Sequence, residues 1–263
     1  MVTSLTNADS ATTADADYLF STLQIKTILD LRTATEHDRR SARTSTWPQL
    51  AEATKPTIHE IPFLSSKFNH KLLLSLTWYN LIYFLFLLAI RRRYQAIGII
   101  TTTVMQPMGL AGVARRCLLY CGLEIRDIFN HVITDEGVLL VHCTQGKDRT
   151  GLTFLLIMML ALEDIDSDKS VGAIEHDYML SNDGLKEIRG EMLDEMRTMG
   201  FADDSGFADA PMVWVGEVLS FLNKNWGGVR GYLKSIGLAA EELERVKMMT
   251  LQIPPPAAAA AVT

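Results

Sequence analysis

The sequence predicts an α/β fold, a small central sheet flanked by helices. Three observations carry that reading. Short apolar runs at residues 25–31 and 137–141 have the length of buried strands. Longer apolar or amphipathic stretches follow them, punctuated by Gly200, Gly227-Gly228 and Gly237. At 263 residues and 48% hydrophobic content, the chain can build one sizeable core, or a domain with an insertion.

Residues 1–16, rich in Thr, Ala, Ser and Asp, are expected to be disordered, and a single domain is expected over 17–252. Within it, 17–23 reads as a short helix, 25–31 as a buried strand, 33–55 as polar loop with helical turns, and 58–63 as a further strand. An apolar helical insertion occupies 70–95. Residues 123–131 form an amphipathic helix leading to the strand at 137–141, and 152–162 an apolar helix after it. Five more helices are expected near 170–180, 184–199, 211–225, 229–236 and 240–251. Residues 253–263, with three consecutive prolines and a run of alanines, are expected to be a disordered tail.

A net charge of −6 argues against a nucleic-acid partner, which would demand a basic face. The basic clusters are local: Arg39-Arg40, Arg91-Arg92-Arg93 and Arg115-Arg116. They read first as solvated helix ends and second as phosphate contacts. Three cysteines are too few for a disulfide framework and fit a reducing, cytoplasmic compartment. Cys117 and Cys121, four apart on a predicted helix, read as buried. The sequence shows no zinc-type cluster, and its start lacks the pattern of a secretory signal.

The most informative stretch is His142-Cys143-Thr144-Gln145-Gly146-Lys147-Asp148-Arg149-Thr150-Gly151. It fits C-x5-R-[ST], a cysteine and an arginine spaced to share one phosphate, between a predicted strand and a predicted helix. A phosphate monoester carries about two negative charges, so its site must supply donors and positive potential. A short loop ending at a helix N-terminus turns backbone N–H groups of Thr144, Gln145, Gly146 and Lys147 inward. Gly146 permits a left-handed turn. Arg149 offers a planar fork for two phosphate oxygens. Thiolate is the nucleophile, and a helix N-terminus beside an arginine favours it. Thr150 can donate its hydroxyl to the sulfur and ease its departure, and His142 can order the loop through its ring nitrogens. A Walker loop is excluded, because no G-x4-G-K-[ST] surrounds Gly146. No metal or other cofactor is required, since the loop itself supplies the positive potential.

On these residues the chain resembles the cysteine-dependent tyrosine phosphatases, and most closely their atypical fungal and bacterial branch, whose loop reads HC-x-x-GKDRTG. The segment Thr27-Ile28-Leu29-Asp30-Leu31-Arg32, followed by Glu36, is similar to that branch's D-L-R strand. Val104-Met105-Gln106-Pro107-Met108-Gly109-Leu110 and Gly231-Tyr232-Leu233-Lys234-Ser235-Ile236-Gly237-Leu238 resemble two further segments. The branch's opening R-D-L-G-G turn and R-S strand have no counterpart here, which implies a divergent or shortened N-terminus and a sheet with one uncovered edge. The resemblance implies a cysteine-phosphatase-like sheet, a helical lid near the site, and hydrolysis of phosphotyrosine, with phosphoserine, phosphothreonine or phosphoinositide as further substrates.

Residues 72–90 are apolar except for Ser75, Thr77 and Asn80, and as one helix would be about 28 Å long, near the thickness of a hydrocarbon core. A single span there would put Asp30 and Cys143 on opposite sides of a membrane, so a lid is the expected arrangement. Peripheral membrane contact through 72–93 is the alternative. The general acid is less legible. The single Trp-Pro pair, Trp47-Pro48, is followed by Gln49, so a W-P-D loop is absent. The resemblance favours Asp148, with Asp30 as the alternative. Lys147, a second cation, would suit a highly anionic phosphoinositide. Two other classes of function remain beside the enzyme: a phosphate-binding module with impaired catalysis, and a membrane-associated scaffold.

Overall fold

Four parallel strands lie in the order β1-β4-β2-β3: β1 is Val2–Thr3, β2 Ile25–Asp30, β3 Thr57–Glu60 and β4 Val138–His142. This computed structural model describes residues 2–3, 14, 17–41, 56–135, 137–165 and 167–251. Most of 1–16, all of 42–55, including Trp47-Pro48, and the tail expected at 253–263 lie outside the described residues. β2 and β4 are buried on both faces, which is why both read as unbroken apolar runs. Asp30 stands opposite both His142 and Glu60, so three strands end level. The pairing continues for one residue more: the Leu31 amide donates to the His142 carbonyl at 2.9 Å, and the Ile61 amide to the Asp30 carbonyl at 2.8 Å. The carboxyl ends of these strands are where an open α/β sheet places its ligand crevice.

The edge expected to be uncovered is partly covered. Val2 and Thr3 pair with Leu140 and Val141, so two residues of a segment expected to be disordered belong to the sheet. The short helix expected at 17–23 is a five-residue π turn, Tyr18–Thr22, whose Leu19 and Phe20 are buried beneath β2 and β4.

The insertion is broken where one helix was expected. α1 (Ala34–Ser41) precedes it. Then come α2 (Ser66–Leu73), α3 (Trp78–Ala89) and α4 (Arg93–Ile100). The cause of the first break is tertiary. Arg116, 45 residues away, donates to the Lys71 carbonyl at 3.4 Å and to the Ser75 hydroxyl at 2.7 Å. A cation on the last carbonyls of a helix stabilises its end, and Ser75 returns its own hydroxyl to the Lys71 carbonyl. Ser65 caps the other end of α2, accepting from the Phe68 amide at 3.1 Å. At twelve residues, α3 is about 18 Å long, too short to cross a bilayer.

From α4 the chain runs through a π segment (Thr101–Met105) into α5 (Gln106–Tyr120), kinked at Gly109. The run Arg93–Tyr120 is long and apolar enough to cross a membrane by length and composition. Here Ala96, Thr101, Val104, Ala114, Cys117 and Leu118 are buried against the domain. α6 (Gly122–Thr134) leads to β4, and α7 (Asp148–Ala161) leaves the loop after it with almost every apolar side chain buried. α8 (Ser167–Gly184), α9 (Arg189–Thr198), α10 (Val213–Trp226), α11 (Val229–Ser235) and α12 (Ala240–Leu251) complete the shell. Tyr232, fully buried, ties α11 to α5 by donating to the Leu118 carbonyl at 3.0 Å.

Candidate active site

The loop from Cys143 to Lys147 joins the end of β4 to the first turn of α7. Gly146 adopts φ 66°, the left-handed turn that lets five residues reverse direction without a Cβ clash. Among the described residues, the amides of Gln145, Gly146 and Lys147 have no hydrogen-bond acceptor, so the loop keeps donors available for an anion. Gly151 has a packing reason. A Cβ there would stand 3.2 Å from the ring of Tyr178, which stacks on Trp214 with centroids 4.5 Å apart.

Cys143 is 4% exposed and lines a cavity of about 390 Å³. Thr144, Gln145, Asp148 and Arg149 line it beside the cysteine. Phe63, Phe68, Leu72, Ile100, Met105, Met196 and Phe207 supply apolar walls. The lid expected from residues 72–90 is not what lines the cavity: of the insertion expected at 70–95, Leu72 is the one lining residue among those described, and Phe68 and Asn69 before it and Ile97, Ile100, Thr101 and Met105 after it supply the rest of that side. α3, the centre of the expected lid, contributes nothing to the lining. A second cavity, of about 530 Å³ and more open, lies around Glu60, Asn69 and Asp127 and contains no residue of the loop.

Arg149 is oriented by a carboxylate that sequence reading named only as the residue after the D-L-R strand. Glu36 accepts from Nη1 at 2.9 Å and from Nη2, in the bidentate geometry that fits a guanidinium. The Leu31 carbonyl takes a further bond from Nη1 at 3.1 Å, and the Thr144 hydroxyl lies 3.2 Å from Nη2. Glu36 also accepts from the Thr144 hydroxyl and from the Thr33 amide at 2.8 Å. The last contact is one half of a capping box at the start of α1. Burial pushes the Glu36 carboxyl up, but the charge and hydrogen bonds of Arg149, with Thr144 and Thr33, hold it far below the usual carboxylate range. Burial works against the Arg149 charge in turn, and Glu36 and Cys143 more than restore it.

Three residues from the sequence reading need correction or placement. Asp30 does not face the cavity. It accepts from the Arg32 amide at 3.0 Å and from the Arg32 side chain at 2.6 and 2.9 Å, and is 3% exposed. Burial pushes its carboxyl up, yet Arg32 and His142 leave it net below its ordinary range, the wrong direction for a group that must carry a proton. Asp30 is therefore a strand-end clamp. His142 lies between that clamp and the loop: Nε2 is 3.7 Å from Asp30 Oδ2, and Nδ1 is 3.3 Å from the Cys143 carbonyl.

Lys147 also turns away from the phosphate position. Its fully buried ammonium donates to the carbonyls of Phe207 at 2.9 Å and Asp209 at 2.7 Å and lies 3.0 Å from Asp148 Oδ1. Two hydrogen bonds and one ion pair hold the ammonium, so Lys147 pins the 207–209 loop and does not add a cation to the cavity. Replacing it with methionine should destabilise the protein by about 3 kcal/mol, because buried carbonyls lose charged donors. A denaturation midpoint that moves by less than the equivalent of about 1 kcal/mol would reject this pinning role.

Asp148 begins α7 and stands at the cavity, with a side chain 39% exposed. The Thr150 hydroxyl is buried and has no hydrogen-bond partner among the described residues. All three cysteines are free, and Cys117 lines the cavity wall. Of the basic clusters, Arg115 pairs with Glu217 at 2.7 Å, Arg91–Arg93 are exposed, and the side chains of Arg39 and Arg40 lie outside the described residues. Among the described residues, His59, His131 and Asp135 bring possible metal ligands within 4.8 Å of one another. The two imidazoles are tilted by 34° with centroids 3.9 Å apart, and His131 Nδ1 and His59 Nε2 lie 3.2 and 3.7 Å from the same Asp135 Oδ2.

Comparison with known proteins agrees with this geometry. A tyrosine-protein phosphatase of Nostoc commune is 31% identical over 134 residues, covering 48% of this chain and 43% of the relative. The triple specificity protein phosphatase PtpB of Mycobacterium tuberculosis is 25% identical over 126 residues, 43% of this chain and 44% of the relative. The chain thus spans less than half the length of these curated relatives. The tyrosine phosphatase family itself matches residues 5–252, nearly the whole sequence, and the chain belongs to that family.

Proposed function

We propose that the protein hydrolyses phosphate monoesters through a cysteinyl-phosphate, with aryl phosphates such as phosphotyrosine as its preferred class. The observation that carries this is Cys143, buried and lining the cavity, on a donor loop that leads directly to Arg149 in the first turn of α7. In the first step the Cys143 thiolate attacks phosphorus, the P–O bond to the leaving group breaks, and Asp148 gives that oxygen a proton. In the second, water attacks phosphorus, the S–P bond breaks, and Asp148 takes a proton from the water. Arg149 and the free loop amides stabilise the equatorial oxygens in both steps. The unpartnered Thr150 hydroxyl is available to the departing sulfur.

Apolar walls of Phe63, Phe68, Ile100 and Met105 suit an aromatic ring. Phosphoserine and phosphothreonine follow as weaker substrates, a breadth that the name of the mycobacterial relative supports. The phosphoinositide reading loses its main support, since Lys147 is committed to Phe207 and Asp209.

Asp148→Asn should slow an alkyl phosphate at least tenfold more than an ester with a good leaving group, because only the poor leaving group needs the proton. Equal slowing of both substrates would reduce Asp148 to a structural residue. Intact Cys143, Arg149 and Thr150 favour an active enzyme over an impaired binding module, and hydrolysis of p-nitrophenyl phosphate by the full chain decides between them.

A further inference from the structure

Exposed apolar area and positive charge unmixed with negative coincide in one stretch of the chain. Residues 61–123 hold seven of its 25 Lys and Arg side chains and none of its 31 Asp and Glu. An acidic protein thus contains a purely cationic segment. At the centre of that segment is α3, which turns its apolar side chains to solvent. Trp78, Ile82 and Phe86 are 75, 59 and 55% exposed. At i, i+4 and i+8 they line one face, opposite Phe84 and Leu87, which are buried. Tyr79, Tyr83 and Tyr94 extend the exposed surface with rings that carry a polar end.

Arg91, Arg92 and Arg93 follow α3 directly, and all are exposed. The helix closes with the Arg92 amide on the Leu87 carbonyl at 2.8 Å and the Arg91 amide on the Leu88 carbonyl at 3.0 Å. That closure puts Arg91 in the left-handed region, φ 59°, where glycine is the ordinary occupant. An arginine is held where the backbone alone would favour glycine.

We propose that α3 and this arginine cluster form a docking surface for an anionic lipid bilayer. The helix lies in the plane of the interface, its apolar face sunk to the acyl boundary and its aromatic rings at headgroup depth. The arginines contact anionic headgroups. Charge complementarity selects this occupant. A second copy of the chain would bring the same cationic cluster against itself across a two-fold interface, which like charges oppose. The surface adjoins the cavity: Arg93 Nη2 donates to Thr35 on the rim at 2.9 Å, and Ile97 and Ile100 of α4 line the wall. Docking would therefore hold the cavity mouth near the membrane.

The test is sedimentation of the full chain with vesicles of phosphatidylcholine alone or mixed with phosphatidylserine. Binding should require the anionic lipid and weaken with salt. The triple variant Arg91→Gly/Arg92→Gln/Arg93→Gln should lose roughly 100-fold in affinity, about fivefold per charge. Its melting temperature should not fall, because glycine suits position 91. Ile82→Ser/Phe86→Ser should also lose binding, and brominated lipid should quench fluorescence in the wild type but less in Trp78→Phe. The proposal is overturned if the wild type stays in the supernatant with anionic vesicles, or if both variants bind as it does. It is equally overturned by a concentration-dependent dimer that Ile82→Ser/Phe86→Ser dissolves without any vesicle binding. These vesicles contain no phosphate monoester, so failure here leaves the phosphatase reading intact, and loss of hydrolysis leaves docking intact.

Discussion

Cys143→Ser is expected to abolish turnover while the site still binds an inert oxyanion such as tungstate. The substitution exchanges sulfur for a slightly smaller oxygen at a position 4% exposed, so the cavity and its donors persist. What disappears is the nucleophile. A serine hydroxyl ionises far less readily than a thiol, so the donors of the loop do not hold it as an anion near neutral pH. Loss of a nucleophile from a concerted site lowers turnover on the order of 10⁴- to 10⁶-fold. Calorimetric binding of tungstate close to wild type, beside turnover at background, is the expected pair of results. Turnover within about tenfold of wild type, a difference of only about 1.4 kcal/mol, would falsify covalent catalysis at this residue.

Glu36→Gln should have the next largest effect, on rate and stability together. Glutamine keeps the shape but removes the charge that faces Arg149, and both side chains are largely buried, at 18 and 14% exposure. Removing one partner from such a pair leaves the other uncompensated, at about 3 kcal/mol of stability. A guanidinium displaced by about 1 Å can cost on the order of 100-fold in rate. The pH dependence has a definite sign. The folded-state pKa of Glu36 lies far below the unfolded value, so its stabilisation is complete above about pH 5. That stabilisation drains away as pH falls through about 4 and below, and the variant should show a flatter acid limb. Denaturant titrations from neutral pH to about pH 3 compare the two profiles. If the variant instead gains activity, Glu36 competes with substrate for Arg149 and does not position it.

The loop was readable because its determinants are contiguous. Strand, cysteine, glycine, arginine and helix fall within residues 138–161, and local rules place them. The helices after it were readable for the same reason, each marked by its own periodicity and glycines. What escaped depended on partners far along the chain. Glu36 and Arg149 are 113 residues apart, and Lys147 and Phe207 are 60 apart. The break in the apolar insertion was hidden because Arg116 enforces it from outside, with no glycine or proline between residues 70 and 90 to announce it. Asp30 is the exception. Its partner Arg32 is two residues on, the spacing that shares one side of an extended chain, so the clamp was open to local reading.

The bond from Arg149 to the Leu31 carbonyl bears on how the molecule is made. It joins positions 118 apart, one before the insertion and one after β4. During synthesis, β2 and the whole insertion leave the ribosome well before the residues that complete the site. Local helices form in about a microsecond, while contacts between distant segments wait on chain closure. Through that interval the nascent chain has neither an oriented arginine nor its thiol seated among donors. The cavity waits longer still, because Met196 and Phe207 of its walls and the carbonyls that hold Lys147 are synthesised after the central strands.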